Sequence, residues 1–588
     1  MTMPSDAEKF IRARDVLLHA QNYEQAMEAF QWPHLTKFNW AFDYFDQLAK
    51  GNQDKALIYT DTKGNERIVS FDQLYKRSNQ VANFLTDAGM QKGDRVLIMM
   101  ETSVEIFEII LGVFKNGGVI IPAASLLTPK DISDRIDRGG IKIVIAHKPF
   151  VEKFNKAGVM IKNLTAMIAV DDIFSPEDPT CRTYDGWLDY KDAEQYPETY
   201  VPAFITFTTD PMFMFFTSGT TAKPKLVIHN YHYPIGHLTT MYWVGMQPGD
   251  IHYNISSPGW AKYAWSSFLA PWNAGATVFT IRYSQFEPKP VLEAIEKYGI
   301  NTLCAPLSVW KLFVQEDLTR YHFKLREIVS AGEPLNPEII RQVKEKIGIT
   351  MREGYGQTES TLMIGYFKGM EIKEGSLGKV APGYRLNVLN DQMDAVKPGE
   401  DGQIAVDIYP IKPLGLLEGY DDEQKNKEIF KGGWYLTGDT AYTDEDGYFH
   451  FVGRNDDVFK SLDYRISPFE VESELMVHPA IVEAAVIPTE DDRGRIVPKA
   501  FIVLKSDFQP TREMALQIFT FIRNQIAPYK RPRYIEFMEA FPKTISAKVM
   551  RKDLRAYNEE LRKEGKMGEN EYKEANFSKE LNIRRKRD

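Results

Sequence analysis

The chain has 588 residues, more than one ordinary domain holds, so two or more domains are expected. Its hydrophobic content of 43% and aromatic content of 12% are typical of a large globular protein with extensive cores. The net charge of −9 gives no support to a nucleic-acid-binding protein, and the two cysteines, Cys181 and Cys304, exclude a disulfide scaffold or a cysteine-rich zinc site.

The first residues carry acidic side chains and no apolar stretch, so neither a signal peptide nor a typical transit peptide is expected. No segment approaches the run of about eighteen apolar residues that a transmembrane helix needs. The low cysteine content suits a reducing compartment. The sequence therefore predicts a cytoplasmic protein without a membrane span.

Helical and strand-like segments alternate along the first part of the chain. Residues 1–50 are predicted to be helical and rich in aromatic side chains. Helical periodicity over 71–88 and 104–115 alternates with short apolar runs at 96–100, 119–121 and 141–146. Alternation of this kind predicts layered α/β structure with a parallel sheet.

The second part of the chain changes character. Short strands between glycine-containing turns over residues 375–447 indicate a β-rich subdomain. A small α+β unit follows, with helices predicted over 468–477 and 511–526, strands over 484–488, 499–504 and 534–537, and a charged helix or frayed end over 555–588. The predicted domains are a helical extension over 1–50, a large domain over 51–455 and a small domain over 456–588.

A polar loop at residues 217–225, TSGTTAKPK, lies between an apolar run at 212–216 and a second strand-like run at 226–228. Backbone N–H groups and hydroxyls in such a loop can surround phosphate oxygens, and lysines neutralise their charge. A Walker loop instead precedes a helix and ends in Gly-Lys-Ser/Thr, which is absent here. The pattern predicts a nucleotide site of a different kind.

Further motifs follow in a fixed order: GEP at 332–334, GYGQTE at 354–359, YLTGD at 435–439, GRNDD at 453–457, YRISP at 464–468 and PKTISAK at 542–548. With the loop at 217–225, this series resembles the AMP-forming acyl-CoA synthetase superfamily over residues 56–555. The segments VHPA at 477–480 and APYKRPR at 527–533 are most similar to the medium-chain acyl-CoA synthetases.

The resemblance implies a reaction in two steps. A carboxylate attacks the α-phosphate of Mg-ATP to give acyl-AMP and pyrophosphate, and the thiol of coenzyme A then displaces AMP. The implied cofactors and partners are ATP, Mg²⁺, coenzyme A and a small carboxylic acid, with no nucleic acid; a monomer and a homodimer both stay open. The small α+β domain would be a mobile lid that turns about Asp456.

The resemblance also implies the nucleotide contacts. Lys548 would stabilise charge that develops in the transition state, and Glu359 would hold Mg²⁺. Asp439 would bind the ribose, and Tyr355 would stack on adenine. The catalytic set comprises Lys548, Glu359, Thr217 and His229. The ATP or AMP contacts are Thr217, Ser218, Gly219, Thr220, Thr221, Lys225, Gly332, Glu333, Pro334, Glu353, Gly354, Tyr355, Gly356, Gln357, Thr358, Asp439, Arg454 and Lys548.

His229 lies four residues after Lys225, and the sequence supports two roles for it equally. It either orients the substrate carboxylate or is a packed histidine.

Gly356 bears on the size of the acyl pocket. In acetate-type relatives a tryptophan at this position shortens the pocket, so glycine implies a larger substrate. Trp260 and Trp265 are candidates to refill the space, with Trp243 and Cys304 as weaker ones. This pocket would suit a short-to-medium, branched or cyclic acid; the alternative that these side chains are ordinary core stays open.

At least three family glycines are replaced, among them those at Ala222, Asp463 and Ala547. Asp463 would place a carboxylate where the pantetheine arm passes the backbone. An enzyme that passes its acyl-AMP to an acceptor other than CoA is therefore an alternative. A non-catalytic binding protein is a third hypothesis, which the presence of Lys548, Glu359 and Asp439 together disfavours. The expected CoA contacts are Asp463, Tyr464, Arg465, Arg493 and Lys530.

Overall fold

The computed structural model describes residues 4–159, 163–171, 185–217, 224–332, 335, 337–461, 464–544 and 548–581. The chain forms two compact units. The first unit comprises Met1–Arg385 and Asp407–Trp434, and the second unit comprises Leu386–Val406 and Tyr435–Asp588. None of the helices in the described part of the chain has the length and apolar character that a membrane crossing needs.

The strands up to residue 305 are β1 Lys55–Asp61, β2 Glu66–Ser70, β3 Arg95–Met99, β4 Val119–Pro122, β5 Ile143–His147, β6 Ala166–Val170, β7 Leu188–Asp189, β8 Pro211–Thr217, β9 Lys225–Asn230, β10 Ile251–Asn254, β11 Thr277–Arg282 and β12 Thr302–Cys304. Those that follow are β13 Glu327–Ala331, β14 Arg352–Gly356, β15 Leu362–Gly365, β16 Lys379–Val380, β17 Leu386–Leu389, β18 Gly402–Asp407, β19 Gly419–Tyr420, β20 Phe430–Lys431, β21 Trp434–Thr443, β22 Phe449–Arg454, β23 Phe459–Ser461, β24 Tyr464–Ile466, β25 Ile481–Glu490, β26 Ile496–Leu504, β27 Tyr534–Phe537 and β28 Glu571–Lys573.

The α-helices up to residue 250 are α1 Asp6–His19, α2 Tyr23–Ala29, α3 Asp46–Ala49, α4 Phe71–Asp87, α5 Val104–Lys115, α6 Pro129–Gly139, α7 Val151–Lys156, α8 Tyr233–Gly236 and α9 Leu238–Val244. Those that follow are α10 Ala261–Ala264, α11 Ala270–Ala274, α12 Pro288–Tyr298, α13 Leu307–Phe313, α14 Pro337–Ile347, α15 Glu423–Ile429, α16 Pro468–Met476, α17 Arg512–Gln525 and α18 Arg551–Lys563. Single π-helical segments cover Trp40–Phe45 and Trp265–Leu269, the latter joining α10 to α11.

Two large sheets form the first unit and confirm the predicted α/β class. One has the order β16-β15-β14-β13-β12-β10-β11-β1-β2, and the other has the order β19-β9-β8-β4-β3-β5-β6-β7. The inner strands β10 to β14 and β3 to β6 pair in parallel. Helix α5 packs against both α4 and β4, so the helix predicted over 104–115 is almost continuously apolar, and nearly all of it is buried.

Helix α4 shows how the sequence sets these boundaries. The Ser70 hydroxyl accepts from the Gln73 N–H, and the Gln73 side chain accepts from the Ser70 N–H, which completes a capping box. The helix ends before Gly89, whose φ of 93° few other residues adopt. The helix predicted over 71–88 is therefore confirmed.

The predicted helical N-terminal segment belongs to the first unit and is tied to it by side-chain donors. The Tyr23 hydroxyl donates to the Val380 carbonyl at 3.0 Å, and the Trp32 indole donates to the Gly383 carbonyl at 2.6 Å. Hydrogen bonds from aromatic donors to main-chain carbonyls fix these rings in position as well as burying them. This segment therefore supports the chain at β16 and just after it.

The second unit begins with a sheet in which β17, β18, β21 and β22 are neighbours. Its C-terminal part is a four-stranded sheet of order β25-β26-β27-β28 covered by α16 and α17. The strands and helices predicted for residues 468–537 are all present, with boundaries shifted by a few residues.

The tail differs from the sequence-based expectation of a charged helix or frayed end, because strand β28 follows α18 and extends the sheet. The reason is a buried charge. Lys499 of β26 is fully buried, and its Nζ lies 2.6 Å from Glu536 and 2.9 Å from Glu571 on β28. Burial by itself would raise the pKa of Glu571. The pKa is nevertheless lowered, because Arg562 and Lys499 donate to the Glu571 carboxylate.

The network of Lys499, Glu536 and Glu571 predicts how the loss of its lysine changes the stability of the protein. Lys499→Met should lower the free energy of unfolding by about 3–5 kcal/mol, because two buried carboxylates lose the buried lysine that lies between them. Urea denaturation measures the change. The control is Lys566→Met, whose exposed partner is Glu564 at 2.8 Å and whose loss should cost less than about 1 kcal/mol. Equal effects of the two variants would contradict the network's role.

Candidate active site

The two ends of the polar loop 217–225 lie side by side, since Thr217 at the end of β8 pairs with Lys225 at the start of β9 in an antiparallel register. The predicted strand–loop–strand arrangement is confirmed. Residues 218–223 between them, including Ser218, Gly219, Thr220 and Thr221, lie outside the described residues. Arg138 fixes the second end, where its guanidinium donates to the Pro224 carbonyl at 2.7 Å.

Lys225 and Glu359, both predicted site residues, approach the same tyrosine. The Lys225 Nζ lies 5.1 Å from the ring centre of Tyr420 on β19, and the Tyr420 hydroxyl donates to Glu359 Oε1 at 2.8 Å. Strand β19 pairs with β9, and the Leu417 N–H donates to the Glu359 carbonyl at 2.8 Å. The structure therefore gathers a cation, a phenol and a carboxylate beside the end of the loop.

Tyr420 was not found by sequence reasoning. It belongs to none of the motifs, and no local pattern distinguishes it from other aromatic residues of the chain. Its position depends on the pairing of β19 with β9, a contact between residues almost two hundred positions apart.

The motif at 354–359 begins within β14 and continues into the turn after it. Glu353 is buried, and its side chain accepts from the Leu335 N–H at 3.1 Å. Burial raises the pKa of Glu353 to about 8, so this side chain is neutral near pH 7. Tyr355 is partly exposed, as a stacking surface requires, and Gln357 donates its N–H to the Ser360 hydroxyl at 3.0 Å.

The GEP motif is only partly described. Gly332 follows β13 with a φ of 103°, which favours glycine. Glu333 and Pro334 lie outside the described residues.

Trp243, a weaker candidate for the acyl pocket, packs beneath β14. A Cβ built on Gly354 would lie 2.5 Å from its indole ring, and its Nε1 donates to the Glu353 carbonyl at 3.1 Å. The geometry favours a packing role for this tryptophan. Cys304, the other weaker candidate, is buried on β12, and burial raises the pKa of its thiol.

His229 lies on β9 and is almost fully buried. Its Nε2 hydrogen-bonds the Thr358 carbonyl at 2.7 Å, so this nitrogen carries the proton and donates. Burial lowers the pKa of His229 to about 3, and its ring packs 4.1 Å from that of Tyr233. Of the two open roles, the geometry favours the packed histidine, which positions the main chain beside Glu359.

Trp265 occupies the space beside Gly356. A Cβ built on Gly356 would lie 2.4 Å from Trp265 Cη2 and 2.5 Å from the Thr361 carbonyl oxygen. The proposed opening left by glycine is therefore filled by a tryptophan from another element. Trp260 lines a small apolar cavity together with Ile110, Phe213 and Tyr263.

Lys262, between these two tryptophans, was not predicted as a site residue. Its Nζ donates to the Ala331 carbonyl at 3.0 Å, next to Gly332. The signal that could have found it is a lysine in an otherwise apolar and aromatic segment.

In the second unit, Asp439 and Arg454 are register partners on β21 and β22. Asp439 is buried, and Arg454 Nε donates to Asp456 Oδ1 at 3.0 Å. Arg555 donates to the Asp456 carbonyl at 3.1 Å. The predicted ribose aspartate, its neighbouring arginine and the predicted hinge residue therefore lie together.

The predicted CoA contacts also lie in the second unit. The Tyr464 ring stacks on Tyr529 at 4.2 Å and is half exposed, and Lys530 pairs with Glu470 at 2.5 Å. Arg493 is exposed in the turn between β25 and β26. Asp463 and the side chain of Arg465 lie outside the described residues.

Lys548 is exposed, and its main chain is hydrogen-bonded to Thr544. The Thr544 N–H donates to the Lys548 carbonyl at 2.8 Å, and the Lys548 N–H donates to the Thr544 hydroxyl at 3.1 Å. Among the described residues, no cluster of three His, Cys, Asp or Glu side chains could hold a metal ion by itself.

The buried state of His229 predicts a pH effect on stability. Its folded pKa of about 3 lies below the ordinary value of 6.5, so below pH 6.5 the unfolded chain binds a proton that the folded chain does not. The stability is therefore complete above pH 6.5 and declines as the pH falls towards 3. His229→Gln keeps an N–H for Thr358 without titrating, and should make the decline between pH 6 and pH 5 shallower by about 1 kcal/mol per pH unit.

Urea denaturation of both proteins at each pH measures these slopes, and the range from pH 7.5 to 8.5 is the control, where the two slopes should agree. Parallel slopes between pH 6 and pH 5 would show that His229 is charged in the folded protein.

The chain matches two family models. Residues 45–420 match the AMP-binding enzyme family, and residues 470–548 match the AMP-binding enzyme C-terminal domain. The first match alone covers more than half of the chain and spans the loop at 217–225 and the motif at 354–359.

Curated relatives match along almost their whole length. The chain is 40% identical to 4-hydroxybutyrate–CoA ligase 1 of Metallosphaera sedula, over 92% of this chain and 94% of the relative. It is 37% identical to the mitochondrial acyl-coenzyme A synthetase ACSM3 of Rattus norvegicus, over 91% of this chain and 93% of the relative.

A solved structure supports the same assignment. The anthranilate CoA ligase AuaEII in complex with anthranoyl-AMP matches with a TM-score of 0.80 and 27% identity, over 90% of this chain and 98% of that one. The chain belongs to the AMP-binding enzyme family, as a member of the AMP-forming acyl-CoA synthetases.

Proposed function

We propose that the protein is an ATP-dependent ligase that joins a carboxylic acid to coenzyme A. The acid attacks the α-phosphate of ATP, which forms acyl-AMP and releases pyrophosphate. The CoA thiol then attacks the acyl carbon, which forms the thioester and releases AMP. The observation that carries this proposal is the meeting of Lys225, Tyr420 and Glu359 beside the loop at 217–225.

This group suits the pyrophosphate that departs. Lys225 supplies positive charge at one end of the loop, and the Glu359 carboxylate is a hard oxygen ligand for the Mg²⁺ that accompanies ATP. Bound Mg²⁺ neutralises phosphate charge. The Tyr420 hydroxyl donates to Glu359 Oε1, which holds that carboxylate in one orientation. Thr217 and the loop residues after it would surround the phosphates.

Neutral groups support this charged face. His229 holds the Thr358 carbonyl through its Nε2–H and carries no charge near pH 7. We therefore assign it as a positioning residue. Thr358 and Glu359 are adjacent, so a shift of one displaces the other.

The second unit would supply the remaining contacts. Asp439 would accept from the ribose hydroxyls with Arg454 beside it, and Lys548 would bridge the attacking carboxylate and the α-phosphate. The exposure of Lys548 supports this role, because its side chain is free to enter a site. Tyr464 and Lys530, with Asp463, Arg465 and Arg493, would contact CoA, with the hinge at Asp456.

The acid is proposed to be short-to-medium in length, branched or cyclic. Trp265 against Gly356 supports this size, because the indole occupies space that a long chain would need. Similar proteins are named for 4-hydroxybutyrate and anthranilate, which are of this size. We also place the enzyme in the cytoplasm, on the strength of its low cysteine content.

The test is an acid panel with ATP and Mg²⁺, with and without CoA, read as pyrophosphate release and as acyl-CoA formation. We expect both products for at least one acid. Lys548→Ala should reduce pyrophosphate release by about a hundredfold or more, because it removes transition-state stabilisation. Lys543→Ala is the matched control from the same turn; this lysine pairs with Glu483 at 2.6 Å and should retain activity.

Three results would redirect the proposal. Pyrophosphate release that never yields acyl-CoA would favour the alternative, an adenylating enzyme with another acceptor. Release from no acid would refute the ligase. Unchanged activity of Lys548→Ala would refute the role given to that lysine.

Tyr420 offers a second prediction. Tyr420→Phe removes only the hydroxyl that donates to Glu359, so the KM for Mg-ATP should rise by about three- to tenfold, as expected for the loss of one typical hydrogen bond. Tyr366→Phe is the control, because that buried hydroxyl donates to the Lys373 carbonyl at 2.6 Å. A KM that is unchanged in Tyr420→Phe would show that the phenol does not orient Glu359.

A further inference from the structure

Four buried rings form a continuous ladder from β9 to Gly356. The ring centroids of His229 and Tyr233 are 4.1 Å apart, those of Tyr233 and His237 are 4.5 Å apart, and those of His237 and Trp265 are 5.7 Å apart. All four side chains are buried, and Trp265 is the ring that meets Gly356. The ladder therefore ends at the wall of the proposed acyl pocket.

Three polar atoms in this ladder have no hydrogen-bond partner among the described residues: the Tyr233 hydroxyl, His237 Nε2 and Trp265 Nε1. The Tyr233 hydroxyl and the Trp265 indole N–H lie near one another, and this approach offsets part of the rise that burial gives the pKa of Tyr233, but the two groups do not have the geometry of a hydrogen bond. Buried polar groups without partners are costly and rare, so three on neighbouring rings require an explanation. A ligand that binds there would supply it.

Other polar atoms of the same rings do have hydrogen-bond partners, as expected for groups with a structural role. In the same ladder, His229 Nε2 is paired with the Thr358 carbonyl, and His237 Nδ1 is paired with the Thr240 hydroxyl at 3.0 Å. The three unpaired atoms belong to consecutive rings of the ladder, which ends at Trp265. Trp265 also begins the π-helical turn between α10 and α11, a feature that often occurs at functional sites.

The chemistry of the three groups defines what they could bind. The indole is a donor only, the phenol donates and accepts, and a neutral imidazole nitrogen does one or the other. Burial holds the pKa of His237 well below its usual range and raises that of Tyr233, so both groups are neutral. A charged substituent would be desolvated here by uncharged walls, whereas a hydroxyl can accept from the indole and donate to the imidazole.

We propose that the acyl pocket binds a carboxylic acid that carries a neutral hydroxyl group, held by Tyr233, His237 and Trp265. This inference rests on the proposed ligase function, whose acid it specifies. The hydroxyl satisfies donors and acceptors that otherwise stay unpaired. An acid with a methyl group in its place leaves them unpaired, and a second carboxylate buries an uncompensated charge.

The first arm of the test needs no substrate. Tyr233→Phe removes an unpaired hydroxyl and should leave the urea midpoint unchanged or raise it. The matched control is Tyr231→Phe, because the buried Tyr231 hydroxyl donates to the Phe114 and Gly118 carbonyls at 3.2 and 3.1 Å, and its loss should lower the midpoint. Equal losses in both variants would show that the Tyr233 hydroxyl is already satisfied by water, which would overturn the inference.

The second arm compares kcat/KM for pyrophosphate release among ω-hydroxy acids, methyl-terminated acids of equal heavy-atom number and dicarboxylic acids. At the best chain length the hydroxy acid should be preferred by about tenfold or more. Tyr233→Phe should reduce that preference by about tenfold, and Tyr231→Phe should retain it.

The outcomes separate the two proposals. An equal kcat/KM for pyrophosphate release with methyl-terminated or dicarboxylic acids and with hydroxy acids would overturn the inference. The proposed ligase function would be unaffected. Release from no acid of any series would overturn the ligase, and the inference with it.

Discussion

Strand β9 is the constraint on which the proposed active face depends. It pairs with β8 on one edge and with β19 on the other, so it fixes both ends of the 217–225 loop and brings Tyr420 to the site. Side chains two apart on a strand share a face, which places Lys225 and His229 on the same side of β9. Lys225 contacts Tyr420, which holds Glu359, and His229 holds the preceding Thr358 carbonyl. One strand therefore sets the position of the cation, the carboxylate and the main chain between them.

Burial separates the charged from the neutral groups of this face. Glu353 and His229 have their pKa moved in opposite directions, to about 8 and about 3, and burial is the main cause in both cases. Each shift makes the side chain neutral near pH 7. Glu359 and Lys225 are less buried. The fold thus provides neutral support beneath a small charged surface, and a phosphate bound there as proposed would meet few competing charges from below.

The sequence was sufficient for features that depend on local pattern. The helices over 71–88 and 104–115, the strand–loop–strand around 217–225 and the α+β unit near the C-terminus follow from periodicity, capping and apolar runs. Strand β28 could not be predicted, because it depends on Lys499, a charged residue that is buried beside Glu536 and Glu571. Tyr420 and the ring ladder could not be predicted either, because they result from contacts between distant segments.

The pair formed by Gly356 and Trp265 shows how such a contact changes the meaning of a motif. From the motif alone, glycine at 356 indicates an open pocket. In the fold, the indole of Trp265 lies where any side chain on residue 356 would be, so the glycine is required by the tryptophan as much as it makes room for a substrate. Trp265 is held in turn by His237 and the π-helical turn that it begins. The size and the polarity proposed for the acyl pocket are therefore coupled through Trp265, and a substitution on either side of its contact with Gly356 should change both properties together.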